Sequence, residues 1–273
     1  IATDTEFNGM NIMDGTFVGK NTFVGTELSH TVSLTIGDVG SGSLGVGSAS
    51  SYATEVVGSA VTATAALAAG AISINGYQVG ATVADGVSQT GDSSSAIAVA
   101  KAINAVSGDT NVSAVAQATT VAGTAATTFG TAIASAGITI NGVNIGAIAA
   151  STAAGDRGSD VAAAINAVTG QTGVTATFAT TGAVALSAAD GRNITVVTAA
   201  DVTGDISGLQ AGGVGEVTVT TKSSVTLSTT ASAGITIGGQ AEATGGFGTA
   251  GLTEATATAG AGVSSIDITT QAG

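Results

Sequence analysis

The chain has 273 residues, with 18 Asp and Glu against 5 Lys and Arg for a formal net charge of −13, and it contains no Cys, Pro or Trp. This balance argues against nucleic acid and anionic membrane surfaces, whose recognition needs Lys and Arg, and the lack of Cys removes disulfides and thiolate metal sites. The length is a soft prior of about two domains.

With aromatic residues at 3% and 42 Gly, any core must be assembled from Ile, Val, Leu and Ala in thin pieces. The Thr/Val/Ile/Gly texture reads as many short strands, and the Ala-rich runs read as helices. The expected class is a β-rich α+β chain of more than one domain. Mean hydropathy is positive, but the longest mild run, 61–74, is broken by Thr62, Thr64, Gly70 and Ser73. It falls short of the roughly 18 apolar residues of a membrane-spanning helix. The chain starts at Ile1 without a basic stretch leading into an apolar run, so no signal peptide is expected. A trimmed or processed piece is.

In chain order, the Ser/Gly-rich stretch 40–60 reads as a boundary. An internal repeat follows. Ala71-Ile-Ser-Ile-Asn-Gly-Tyr-Gln-Val-Gly80 matches Gly137-Ile-Thr-Ile-Asn-Gly-Val-Asn-Ile-Gly146, and Ala102-Ile-Asn-Ala-Val-Ser-Gly108 matches Ala164-Ile-Asn-Ala-Val-Thr-Gly170. The offsets are 138 − 72 = 66 and 165 − 103 = 62, so the two blocks keep their order and the loop between them changes by four residues. The first block predicts two short strands around Asn75-Gly76 or Asn141-Gly142, a dipeptide that favours a type I′ turn. The second predicts a helix with Val99, Ile103 and Val106, or Val161, Ile165 and Val168, on one face. Ser159 or Asp160 is expected to cap the second helix, and Gly108 and Gly170 to end the two. Strands are expected at 112–116 and 174–178, giving a hairpin–helix–strand unit whose helix packs on a sheet. Segments 216–221 and 224–228 alternate as strands. Gly234-Ile-Thr-Ile-Gly-Gly-Gln240 reads as a partial third copy with its turn at Gly238-Gly239, and the Gly-rich run 245–262 as a second boundary.

Several residues carry candidate chemistry. Gly40-Ser-Gly-Ser-Leu-Gly45 matches a dinucleotide-binding glycine pattern, but no acidic residue follows at the required distance, so it reads as an interdomain loop. His30 is the single histidine. That rules out a His-based triad or multi-His metal site and leaves pairing with Glu27 as its one acid–base option. The carboxylates Asp85, Asp92, Asp109, Asp156, Asp160, Asp190, Asp201 and Asp205 are scattered. The pairs Asp156/Asp160, beside Arg157, and Asp201/Asp205 are the candidates for a structural Ca²⁺, with turn and cap roles as the plain reading. No spacing matches an EF-hand. Sugar hydrolysis needs two carboxylates, and Tyr52 and Tyr77 are the only tyrosines available as platforms. Asn111-Val-Ser and Asn193-Ile-Thr fit the N-glycosylation sequon, and Ser and Thr offer sites for O-linked sugar. No catalytic, cofactor or metal residue is assigned, no cofactor is expected, and no ligand-binding residue is identified.

Together these motifs point to one family. Glu6-Phe-Asn-Gly-Met-Asn-Ile-Met-Asp-Gly-Thr-Phe17 resembles the segment after the N-terminal helices of bacterial flagellins. Phe23-Val-Gly and 31–36 resemble the hairpin that follows, and Val263-Ser-Ser-Ile-Asp-Ile-Thr-Thr resembles the strand before the C-terminal helices. The repeated Ile-Asn-Gly and Ala-Ile-Asn-Ala-Val blocks, with Leu186-Ser-Ala-Ala-Asp-Gly-Arg-Asn193, resemble the IN motif of flagellin and hook-associated proteins. The resemblance implies an inner-domain stub at 1–39 and 263–273 and a variable outer region at 40–262, with IN-like repeats at 71–118 and 137–199 and a β-rich segment at 200–262. It implies a structural, non-enzymatic subunit of the extracellular flagellar filament, partnered by other flagellin subunits. The long terminal helices of the family are not in this sequence, so the chain by itself is expected to be monomeric. Rival readings are a surface adhesin or polysaccharide receptor, in which Lys101, Arg157 and Arg192 would have to converge, and a hook-associated or cap protein.

Overall fold

The computed structural model describes residues 5–23, 31–38, 54–210, 217–231, 233–240 and 246–257. The chain divides into two compact units, one made of 1–54, 230–234 and 258–273 and the other of 55–229 and 235–257.

In the first unit, strands β1 (Glu6–Phe7) and β2 (Met10–Asn11) form a hairpin in which Phe7 faces Met10. The turn is Asn8-Gly9, with both φ positive, as a tight hairpin turn requires. Strands β3 (Lys20–Phe23) and β4 (Thr31–Leu34) pair antiparallel with Lys20 opposite Leu34, so the hairpin implied by the resemblance is present. The Ile36 amide extends the pairing by donating to the Phe17 carbonyl, 2.9 Å.

The second unit contains, in chain order, β5 (Thr54–Ala60), β6 (Ile72–Ile74), β7 (Tyr77–Gln78), α1 (Ala96–Asn104), α2 (Ser107–Thr110), β8 (Ser113–Ala116), β9 (Thr119–Val121), β10 (Ile138–Ile140), β11 (Val143–Asn144), α3 (Ala154–Ala167), α4 (Thr169–Thr172), β12 (Thr175–Phe178), β13 (Val184–Ala188), β14 (Ile194–Thr198), α5 (Gly204–Ser207), β15 (Val217–Thr221), β16 (Ser224–Thr229), β17 (Ile235–Gly239) and β18 (Ala255–Ala257). This is the β-rich α+β class expected from composition. The strands form four small antiparallel sheets, ordered β18-β17-β6-β7, β5-β16-β8, β15-β14-β10-β11 and β9-β13-β12.

Two separate apolar cores fill the unit. The first joins Leu67, Ile72, Ile74, Val99 and Ile103 to Val225, Leu227, Ile235, Ile237 and Leu252. The second is built from 121–209 alone, around Ile138, Ile140, Val161, Ile165, Val184, Leu186 and Ile194. We call these regions lobe 1 and lobe 2. Each core is a helix stripe laid on two short sheets. Val99 and Ile103 in α1, and Val161 and Ile165 in α3, are fully buried, while Val106 and Val168 are half-buried against the same cores. The predicted helix face is therefore the observed one.

Three local expectations differ from the structure. Ser159 and Asp160 lie inside α3, whose N-cap is Ala153. The helix gains its extra first turn because Arg157 is buried and Gly158 packs against Gly182, where an added Cβ would sit 3.0 Å from the Gly182 Cα. Gly108 and Gly170 do not end the helices either. They sit within α2 and α4, and the left-handed residues that close those turns are Asn111 and Gly173. Third, Gly238-Gly239 makes no turn. Both residues continue β17, which pairs with β6 so that Ile237 faces Ile74 and Gly239 faces Ile72. Gly239 has φ 136°, and a Cβ there would lie 2.3 Å from the Ala71 carbonyl oxygen, so the glycine permits a close backbone approach. The two stretches read as boundaries hold β5 and β18, and the division between the compact units falls within each, at 54/55 and at 257/258.

Because the lobe 2 core is thin, each apolar side chain in it counts. Ile165→Ala is expected to cost about 2–5 kcal/mol, read as a lower urea midpoint for the lobe 2 transition at unchanged slope.

Candidate functional site

The residues that define the repeat are four asparagines acting as clasps. Asn141 sits at φ 47° on the β10–β11 turn and is buried. Its amide donates to the Thr195 carbonyl, 2.8 Å. Its Oδ1 accepts the Thr195 amide, 2.8 Å, and its Nδ2 donates to the Thr172 carbonyl at the end of α4, 3.0 Å. One side chain thus ties the hairpin, strand β14 and a helix end together. Asn75 repeats all three bonds in lobe 1, with the Thr236 carbonyl (2.8 Å), the Thr236 amide (2.7 Å) and the Thr110 carbonyl (3.0 Å).

The second pair of clasps lies near the helix ends. Asn166 Nδ2 donates to the Ala176 carbonyl, 2.9 Å, and its Oδ1 accepts the Ala176 amide, 2.8 Å. Asn104 does the same to Ala114 on β8, at 2.8 Å both ways. An amide side chain offers one acceptor and two donors. Each Asn therefore satisfies the outward backbone groups of an edge residue as another strand would.

The lobes meet where the chain crosses between them. Asn193 is fully buried. Its amide donates to Ser88 Oγ, 3.0 Å, and its Nδ2 to the carbonyls of Thr90 and Gly91, 2.9 and 3.1 Å. Ser88 Oγ in turn donates to Asp85 Oδ2, 2.7 Å, and Ser95 Oγ, the cap of α1, also donates to Asp85 Oδ2, 2.6 Å. Burial alone would push the Asp85 carboxyl up. The bonds from Ser88, Ser95 and the Val87 amide outweigh it and hold the pKa below 3.8. Lys222, in the link between β15 and β16 that returns from lobe 2, donates to Ser94 Oγ and the Ser94 carbonyl, 2.7 and 2.9 Å, and to the Ala63 carbonyl. Desolvation lowers its pKa. Arg192 pairs with Asp190 at 2.7 Å and reaches the Thr172 carbonyl, 3.2 Å, a cation at a helix C-terminal end.

Beside this junction an open groove of about 530 Å³ is lined by Asp85, Ile97, Lys101, Asn104, Val115 and Asp190 among others. It brings two of the scattered carboxylates near one lysine over an apolar floor. None of its lining side chains is a nucleophile paired with a base.

The other residues singled out from sequence fall apart in space or fall outside the described residues. His30, Glu27, Tyr52 and the 40–45 glycine pattern are among the latter. Arg157 is fully buried and donates to the carbonyls of Phe129 and Thr131, whereas Lys101 is exposed. The convergence of Lys101, Arg157 and Arg192 on one ligand is therefore contradicted. Asp156 and Asp160 accept from the nearby hydroxyls of Thr152 and Ser151, both 3.1 Å. Among the described residues no group of three or more His, Cys, Asp or Glu could hold a metal ion. The Asn193 sequon lies on a buried amide engaged in the junction, so it cannot carry sugar, while Asn111 is exposed. Of the junction partners, Ser88 and Lys222 carried no signal of their own, because they join the junction through contacts 105 and 128 positions away, whereas Ser95 acts locally as the cap of α1.

Residues 137–190 match the family model of the flagellin hook IN motif. The chain therefore carries a flagellin hook IN motif over that segment. No curated protein matches it. The matched segment runs from β10 to the end of β13 and contains two of the four clasps, Asn141 and Asn166. Among the described residues no helix is long and apolar enough to cross a membrane.

Asn141→Ala would leave the Thr195 amide and one acceptance at Thr172 without their partner inside the protein and remove a residue tolerant of positive φ. The expected loss is about 2–4 kcal/mol, measured by urea unfolding. For Asp85, a folded pKa below the unfolded value means that its contribution is complete above pH 3.8 and is lost as pH falls through 3.8 toward the folded value. Stability measured across that window should fall less steeply in Asp85→Asn than in the parent.

Proposed function

We propose that this chain is the surface-exposed part of a bacterial flagellar filament subunit, with a structural and not a catalytic role. The observation that carries the reading is the flagellin hook IN motif at 137–190, in a chain that also holds the Glu6–Phe17 block. The first unit supports a role as an inner piece. It exposes Phe7, Val18, Val32 and Leu34, between 47% and 68% accessible, as suits a face covered by other parts of an assembled subunit. The second unit supports a role as a projecting body, since the two lobes bury their apolar residues internally and the chain is acidic, which opposes non-specific sticking. On this reading the protein is extracellular, its partners are other flagellin subunits, and the inner stub at 1–39 and 263–273 carries the outer region at 40–262.

A hook-associated protein is the second reading, because the matched motif is described for the hook as well. The two are separated in the cell. In the parent gene of a flagellin-null strain, deletion of 40–262 is expected to leave filaments visible by electron microscopy. Stable, exported protein without filaments would count against the outer-region reading, and rescue of hook–filament junctions without filament growth would favour the second.

A further inference from the structure

The motif match covers one segment, yet lobe 1 repeats lobe 2 well beyond the hairpin and helix. Three backbone bonds of lobe 1, Ala71 amide to Ala68 carbonyl, Val79 to Ile72 and Thr82 to Leu67, recur in lobe 2 as Gly137 to Ala134, Ile145 to Ile138 and Ile148 to Ile133, all at the offset 138 − 72 = 66. The equivalence then continues across a gap. Ala114, held by Asn104, faces Leu227, and Ala176, held by Asn166, faces Leu186. Ile74 faces Ile237, and Ile140 faces Val196. The offsets are 227 − 186 = 41 and 237 − 196 = 41. The strand orders correspond one for one, β18-β17-β6-β7 with β15-β14-β10-β11 and β5-β16-β8 with β9-β13-β12. Hence β17 is the closing strand of the first copy and no third copy.

We infer that 55–116 and 224–257 form a second, discontinuous IN module, and that lobe 2 is inserted into it at the place of one hairpin turn. From Phe178 to Val184 the chain in lobe 2 takes 184 − 178 = 6 positions through a tight turn, closed by the Ala179 amide on the Ala183 carbonyl, 2.9 Å. From Ala116 to Val225 in lobe 1 it takes 225 − 116 = 109. The whole of lobe 2 occupies the difference. A cation, fully buried in lobe 2 and half-buried in lobe 1, marks the equivalence independently. Arg157 donates to the Phe129 carbonyl in lobe 2, and Lys222 donates to the Ala63 carbonyl in lobe 1. The two carbonyls are again 129 − 63 = 66 apart, although one cation comes from the helix and the other from the returning linker. The split also explains why a contiguous motif matches only lobe 2: the strands that complete lobe 1 lie beyond the insert.

The inference predicts two folding units with a one-way dependence, because lobe 2 closes on itself while lobe 1 needs its two segments brought together across the insert. Native-state hydrogen exchange on the full chain tests this. In Ile103→Ala, exchange at Ala114 and Thr236 should rise at least tenfold while that at Ala176 and Thr195 stays as in the parent. An equal rise at all four amides overturns the two-module assignment. In a second variant, 118–223 is replaced by the three residues 180–182 of the lobe 2 turn. It is expected to unfold cooperatively with Ala114 and Thr236 still protected. Loss of that protection overturns the equivalence of the insert and the turn.

Discussion

Everything in the second unit depends on asparagine amides standing in for backbone. Sheets of three or four short strands leave a large share of their amide and carbonyl groups at edges and helix ends, where a lost partner costs about as much as a hydrogen bond is worth. A core made of Ile, Val, Leu and Ala, with few aromatics to cover such groups, cannot hide them by bulk. Asn75 and Asn141 close the hairpin onto the central strand and the helix end, and Asn104 and Asn166 close the helix onto the sheet edge. The apolar stripes of α1 and α3 supply the driving force. The amides decide where each helix comes to rest.

Much of this was legible from sequence because it is local. The Asn-Gly turns, the i, i+4 spacing of Val161 and Ile165, and the strands after each helix follow from short-range rules, and they appear where expected. What escaped was set by distant partners. The first turn of α3 reads as a loop, since Gly155 and Gly158 disfavour helix, yet burial of Arg157 and contact with Gly182 extend the helix through it. Gly238-Gly239 reads as a turn by analogy with Asn-Gly, but strand β6 beside it makes it straight. The role of Asn193 as a junction residue was hidden for the same reason, its partners lying about a hundred positions away.

Polar contacts concentrate at the crossing between lobes. Asp85, Ser88, Ser95 and Asn193 form a linked set, Lys222 joins it through Ser94, whose hydroxyl shares the Gly91 carbonyl with Asn193, and Arg192 with Asp190 lies next to it in sequence. Apolar packing holds each lobe from within, while hydrogen bonds and one partly desolvated ammonium hold the seam. Since an unpaired polar group in such a network is costly, the seam should favour one geometry over sliding alternatives.

The clasp on β8 and β12 has a consequence for concentrated protein. A bare strand edge is a template on which another chain can add, and molecules arrayed side by side at close spacing would meet such edges constantly. With the amide and carbonyl of Ala114 and Ala176 already occupied by side chains, a neighbour finds no free pair to zip against at those two positions. Crowded copies can then lie flank to flank and remain separate molecules.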